Sequence, residues 1–285
     1  MQVTERGYAK INLSLDVLRR RDDGYHEVRM IMQTVDLFDT LDFERIPEDR
    51  IELTTDSDIL ADMEGNLVSK AAKAFKKRFS IDEGIRVSLK KKIPIAAGLA
   101  GGSADAAATL RAMNRLFDVN AENSVLCEIA GTLGADVPFC VCGGTMLSEG
   151  IGEVLTPVKS GLKAHCVIVK PDFPMPTKYV YNNLVLDEKI KHPDIRACLS
   201  AVADGNLYRL AEVSGNVLES VSCKLHPEIA EIKNVLERLG ASFSLMSGSG
   251  PSVFALFEDY DDAKNAFDTF SSGKYGAETF LTGLR

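Results

Sequence analysis

The chain has 285 residues, 45% hydrophobic and 26% charged, a globular balance with room for about two domains. Its 33 basic against 41 acidic residues leave a net charge of −8, with eleven of the acids in 36–64, which argues against general nucleic-acid binding. Six cysteines without a Cys-x-x-Cys, a charged N-terminal MQVTERGYAK and no apolar run near the ~18 residues of a membrane span predict a reduced cytoplasmic protein with no zinc site, secretory signal or membrane partner.

Residues 8–18 (YAKINLSLDVL) alternate strictly and predict a half-buried strand. Ile11, Leu13, Leu15 and Val17 fall on its core face; Lys10, Asn12, Ser14 and Asp16 fall on a polar face. RRRDDGYHEV (19–28) turns the chain into a second strand reaching about residue 44. Asn66 stands where an N-cap belongs, before a helix to about 78. A strand over 85–94 and a loop AAGLAGG (96–102) lead into an Ala-rich helix over 103–117, capped by Ser103, and a further helix follows at about 122–133. The proline-dense stretch within 158–177 marks a boundary. Helices follow at about 178–184, 206–221 and 226–239, then strand 241–246, SGSGP, strand 252–257, helix 260–271 and strand 277–283. Hairpins mixed with helices, without regular βαβ repeats, predict α+β in two lobes.

The chemistry concentrates in PIAAGLAGGSADAA (94–107), a strand feeding a Gly-rich loop that opens directly into a helix. Glycines admit close approach of an anion, and a helix N-terminus adds unpaired N–H donors and partial positive charge, so this segment can cradle phosphate. It is neither a Walker A loop nor Gly-x-Gly-x-x-Gly. Gly101 is the expected point of closest approach, with positive φ. SGSGPS (247–252) is a second glycine cluster, which by itself reads as a hairpin turn. Lys10 and Asn12 project from one strand face with Cα atoms roughly 6.6 Å apart. Asp136 in GADVPF (134–139) occupies a cap or turn position. The basic runs 19–21 and 90–92 read as solvated loops.

In combination and in this order, A-K-I-N-L, P-x-A-A-G-L-A-G-G-S, G-A-D-V-P-F and S-G-S-G-P-S resemble the motifs of the GHMP kinases over the whole chain. AKINLSL followed by DGYHEV is similar to the branch of that family whose acceptor alcohol is cytidylylated. The resemblance implies an α+β, two-domain GHMP kinase fold, divided as 1–158 and 159–285 (the latter ferredoxin-like), with the active site in the cleft between the lobes. It implies ATP as phosphoryl donor, accompanied by Mg²⁺, and phosphorylation of the 2-hydroxyl of a cytidylylated methylerythritol in the non-mevalonate route to isoprenoid precursors. Lys10 and Asp136 match the catalytic pair. Pro94, Ala96, Ala97, Gly98, Leu99, Ala100, Gly101, Gly102, Ser103, Ala104 and Asp105 match the ATP loop, Asn66 lies toward the adenine end, and Gly248, Ser249 and Gly250 neighbour the phosphates. Asn12, Tyr25, His26, Thr177 and Tyr181 match acceptor contacts, with His26 on the base edge and Tyr25 and Tyr181 flanking the ring. The family has two serines where this chain has Ser103 and Ala104, which leaves the loop hydroxyl to Ser103. No protein ligand to the metal and no oligomeric state is implied. DGYHEV and Tyr181 disfavour a kinase of mevalonate or homoserine, and retention of Lys10 and Asp136 disfavours a ligand sensor.

Overall fold

The computed structural model describes residues 2–57, 65–273, 275 and 277–285, so the end of the acidic stretch, 58–64, lies outside the described residues. The chain forms two compact units that interleave in sequence. Unit 1 comprises Met1–Ala9, Leu37–Ile95 and Ala100–Gly143; unit 2 comprises Lys10–Asp36, Ala96–Leu99 and Gly144–Arg285. Two long strands, β1 (Gln2–Arg20) and β2 (His26–Ile46), contribute to both.

In unit 1, β3 (Ile51–Thr55) precedes α1 (Leu67–Phe79) and β4 (Gly84–Lys90), and three helices follow: α2 (Gly101–Leu116), α3 (Asn123–Gly131) and α4 (Val137–Cys142). β4 pairs antiparallel with the end of β2, Val87 opposite Phe43, and parallel with β3, Val87 opposite Leu53. The Ala-rich sequence of α2 has a packing reason. Ala104, Ala106, Ala107, Ala108 and Ala112 are all fully buried, and side chains this small let neighbouring elements approach closely. Phe43, Phe75, Val87, Leu110 and Val137 fill the core around it. α1 starts as predicted: the Asn66 side chain accepts from the Val68 N–H at 2.9 Å. Lys76, Lys77 and Arg78 lie in its last turn, complementing the helix dipole. Asn66→Ala should therefore lower the unfolding free energy by about 0.5–2 kcal/mol, the usual cost of a lost N-cap. A urea titration reads this directly, and an unchanged midpoint would show the cap to be dispensable.

In unit 2, β5 (Thr145–Gly150) pairs antiparallel with the first half of β2, and β6 (Val154–Pro157) pairs with β5. A second, all-antiparallel sheet is assembled from β7 (His165–Lys170), β8 (Phe243–Met246), β9 (Val253–Phe257) and β10 (Glu278–Gly283), in the order β10-β7-β9-β8. Its inner strands are apolar runs: all five residues of β9 (VFALF) are buried, as expected for a strand covered on both faces. Between β7 and β8 lie α5 (Thr177–Asn182), α6 (Ile195–Asp204), α7 (Leu207–Val213), α8 (Glu219–Leu225) and α9 (Glu228–Arg238); α10 (Tyr260–Ser271) follows β9.

Three expectations change. The helix expected over 206–221 is two helices, because Ser-Gly-Asn at 214–216 leaves the helix to bond with β1. α6 was not expected, although Asp194 caps its start, Gly205 ends it and Ile195, Cys198, Ala201 and Val202 form a buried helical stripe; the five-residue β3 was not expected either. The strand expected over 85–94 ends at Lys90.

Candidate active site

The polar face of β1 is not solvated. Lys10, Asn12, Ser14 and Asp16 are all buried, from 0 to 5% exposed. Each has a partner within unit 2. The Lys10 ammonium donates to Asn12 Oδ1 at 2.7 Å and to the Gly98 carbonyl at 3.2 Å. Asn12 Nδ2 faces Met30 Sδ at 3.4 Å, Ser14 Oγ donates to the Gly215 carbonyl, and Asp16 Oδ1 lies 2.6 Å from His192 Nδ1. Burial of a polar strand face on this scale requires such partners, since an unpaired group there costs about 1–3 kcal/mol.

The loop after β4 is backbone-strained in a regular way. Ala96, Gly98 and Ala100 all have positive φ, at 53°, 75° and 57°. For each alanine this costs roughly 1–2 kcal/mol, so the surroundings must hold it. They do at Gly98: its carbonyl accepts from Lys10 Nζ and, at 2.9 Å, from Ser247 Oγ. A Cβ on Gly98 would lie 2.2 Å from the Ser247 carbonyl oxygen. The Lys10 N–H donates to the Leu99 carbonyl, and Ser252 N–H reaches that of Ala97. Gly98, not Gly101, is thus the glycine that the fold requires; Gly101 lies inside the helix with no positive φ.

SGSGPS joins β8 to β9 as a turn, but one fixed from three sides. Asn216 Nδ2 donates to the carbonyls of Met246 and Gly248, Ser222 Oγ donates to that of Ser249, and Thr177 Oγ1 meets Ser249 Oγ at 2.9 Å. A Cβ on Gly248 would lie 3.5 Å from Lys10 Nζ, so the two glycine clusters and Lys10 form one assembly. Asn216 and Ser222 were not singled out from sequence, and Ser247 only as the first residue of SGSGPS. The Ser-Gly-Asn break in an otherwise helical pattern is the signal that could have found Asn216.

α5 joins this assembly to an aromatic pair. Thr177 and Tyr181 are one turn apart on the same helix face. While Thr177 meets Ser249, the Tyr181 ring lies against that of His26, centroids 5.1 Å apart and tilted by 40°. Tyr25, the preceding residue, is 61% exposed. Its position is set by the turn: Asp23 Oδ1 accepts its N–H, and its carbonyl accepts from the Arg21 N–H. Partial burial, with the charge of Arg20 second, lowers the pKa of His26 from its usual value, which keeps the imidazole neutral at pH 7.

In unit 1, α2 begins two residues earlier than expected. Ala100 occupies the N-cap and no side chain caps the helix; Ser103 sits inside the first turn. A helix start of this kind keeps its first N–H groups for an external acceptor, an anion being the natural one. A Cβ on Gly102 would meet Leu67 at 3.3 Å, which puts this first turn beside the start of α1 and Asn66. Ala104 is fully buried, so of the Ser-Ala pair only Ser103 keeps exposed surface. Asp136 is half-buried at the N-cap of α4, and its carboxylate makes no cap hydrogen bond. Lys91, expected in a solvated run, is buried between Asp39 and Asp105.

Family models place the chain among known proteins. The one described as GHMP kinases N terminal domain matches residues 66–144, and GHMP kinases C terminal matches 195–275. The chain is 48% identical over 280 residues to the 4-diphosphocytidyl-2-C-methyl-D-erythritol kinase of Lachnoclostridium phytofermentans, covering 98% of this chain and 96% of that one. The enzyme of the same name from Clostridium perfringens strain 13 is 45% identical, covering 95% and 93%. A crystal structure of 4-(cytidine 5'-diphospho)-2C-methyl-D-erythritol kinase superposes with a TM-score of 0.86 at 31% identity, covering 99% of both chains. Homoserine kinase from Cytophaga hutchinsonii, at 19% identity and a TM-score of 0.77 over 99% of this chain and 95% of that one, shares the fold.

Proposed function

The chain belongs to the 4-diphosphocytidyl-2-C-methyl-D-erythritol kinases, a branch of the GHMP kinases, and we propose from this premise how its residues divide the work. It is a kinase that transfers a phosphoryl group from ATP to 4-diphosphocytidyl-2-C-methyl-D-erythritol, in isoprenoid precursor biosynthesis by the methylerythritol phosphate pathway. The hydroxyl phosphorylated is that at carbon 2. The family modules divide at 158/159, with the matched stretches 66–144 and 195–275 falling one on each side.

Phosphoryl transfer needs positioning and charge neutralisation more than covalent chemistry. The 94–105 loop and the first turn of α2 hold the ATP phosphates, with Asn66 toward the adenine. Lys10, fixed by Asn12 and the Gly98 carbonyl, stabilises negative charge that develops on the transferred group. Asp136 accepts the proton of the attacking hydroxyl or orients it. Mg²⁺ fits this donor set: a hard cation arriving with a nucleotide keeps mostly phosphate and water oxygens, and Ser103 supplies the hydroxyl of the loop. The ion would neutralise phosphate charge when bound, and no protein ligand to it is assigned. The six cysteines form no disulfide among the described residues, and no helix there is long and apolar enough to cross a membrane; both suit a cytoplasmic enzyme.

The observation that carries the acceptor assignment is α5, which ties Thr177 to Ser249 and Tyr181 to His26. Tyr25 and Tyr181 stack on cytosine, and neutral His26 hydrogen-bonds its edge. Tyr181→Ala should cost about 1–3 kcal/mol of stacking, roughly a five- to 150-fold loss in kcat/KM for the cytidylylated alcohol, with KM for ATP little moved. His26→Ala should in addition relax selectivity for the base. The test is a coupled ADP-release assay varying each substrate in turn, with mevalonate and homoserine as competitors. Equal turnover of either competitor would overturn the acceptor assignment.

A further inference from the structure

Among the described residues, unit 1 carries a buried ionic cluster that ties Asp105, the last residue assigned to the loop, to two residues with no role so far. Asp39, at the edge of the β2–β4 pairing, is fully buried. Its Oδ1 accepts the backbone N–H groups of Lys92 and Ile93 at 2.5 and 2.8 Å, and its Oδ2 accepts from Lys91 Nζ at 2.5 Å. The same ammonium donates to Asp105 Oδ2 at 2.8 Å. Lys91 is 9% exposed and Asp105 3% at their side chains, and Asp105 Oδ1 is buried with no hydrogen-bond partner. Two carboxylates thus share one cation away from water.

The position of this cluster along the chain gives it a role. Residues 91–93 lead into the phosphate loop, and Asp105 lies on the helix turn that leaves it. Between them run Ala96, Gly98 and Ala100 with positive φ. A loop in so sparsely populated a conformation persists only when its ends are over-determined. The two ends also touch: a Cβ on Gly101 would lie 3.0 Å from the Ile93 side chain and 3.4 Å from Lys91 Nζ.

We propose that Lys91 is a positioning residue for phosphoryl transfer: its ammonium, shared by Asp39 and Asp105, clamps the entry of the phosphate loop to its exit and so fixes the loop in its ATP-binding form. The inference rests on the reading of 94–105 as the ATP loop. The electrostatics agree with a clamp under load. Burial raises the Asp105 pKa to about 8, Lys91 opposing and the charge of Asp39 adding to the rise. Asp105 therefore depends on Lys91 for whatever charge it keeps.

Removing Lys91 alone leaves the buried Asp39 carboxylate without its cation, which threatens folding itself. The informative variants are Asp105→Asn, close to isosteric, and the double variant Lys91→Met/Asp105→Asn, which deletes the cation together with one acid. Both should melt cooperatively. The double variant should raise KM for ATP about ten-fold or more, with KM for the cytidylylated alcohol inside a factor of about two, because ground-state binding of one substrate alone is lost. Asp105→Asn should show the same split, less strongly. Hydrogen exchange of the wild-type enzyme with and without ATP tests the loop reading by itself: ATP should protect amides in 96–103. Absent protection there sinks the loop reading. Protection present, with KM for ATP unmoved in the folded variants, sinks the clamp. Both Michaelis constants rising together, or neither variant folding, would make the cluster a general fold element and equally overturn the proposal.

Discussion

Asp136→Asn should lower kcat by about 10²–10⁴-fold, the range for loss of a positioned base, while the melting transition and KM for ATP stay near wild type. The structural reason for expecting a clean effect is the setting of Asp136. It stands half-buried at the N-cap of α4. Asparagine is equally acceptable at an N-cap. What changes is the charge and, on the proposed mechanism, the ability to take a proton from the acceptor hydroxyl. Steady-state kinetics with saturating ATP read the outcome, and near-normal turnover in the asparagine variant would remove Asp136 from the chemistry.

Gly98→Ala should be the most damaging change in the 94–105 loop, proposed to hold the ATP phosphates, although it adds a single methyl group. The left-handed conformation alone costs an alanine about 1–2 kcal/mol. The added Cβ would also fall 2.2 Å from the Ser247 carbonyl oxygen, which is backbone and cannot rotate away. Loop and turn must separate, and the Gly98 carbonyl then loses its bonds from Lys10 and Ser247. The expected result is a lower melting temperature and, in whatever fraction folds, a KM for ATP raised more than ~ten-fold. Gly101→Ala is the comparison. The nearest atoms to its Cβ are side-chain atoms, Ile93 Cγ2 at 3.0 Å and Cβ at 3.3 Å, and its φ is not positive, so it should be milder. A Gly98→Ala enzyme with unaltered stability and ATP dependence would show that the contact with Ser247 is not maintained in solution.

The contrast between these glycines shows where sequence reasoning reaches its limit. The loop, the strand before it and the helix after it were legible in and around 94–107, because alternation ends at a Gly cluster and an Ala-rich run follows it. Which glycine bears the strain was not, because that depends on Ser247, 149 residues away. The same holds for β1. Alternation identified the strand and its core face correctly, but a polar face with a period of two ordinarily means water, and here it means Gly98, Met30, Gly215 and His192. Ser103 was read as the cap of α2 because serine favours that position, whereas Ala100 holds it in a conformation that no propensity scale would assign to alanine. Lys91 looked like one member of a basic run; only the tertiary structure brings Asp39 and Asp105 to it. His26 and Tyr181 lie far apart in sequence and were connected by motif alone; α5 supplies the physical link.

The interleaving of the two units bears on the order in which the chain can fold. Every residue of unit 1 has been made once Gly143 is synthesised. Unit 2 cannot close then, since its earliest strand segments wait for distant partners. Leu15 exchanges backbone hydrogen bonds with Gly215 and Val217, and Gln33 donates to the Arg285 carbonyl across 252 residues. Contacts of such long sequence separation form slowly, because the entropy of closing the loop is lost before any contact offsets it. During synthesis, the strand segment bearing Lys10 and Asn12 therefore exists for some time without the turn at Ser247 that completes its surroundings. At that stage its buried face, polar and apolar alike, is open to wrong partners.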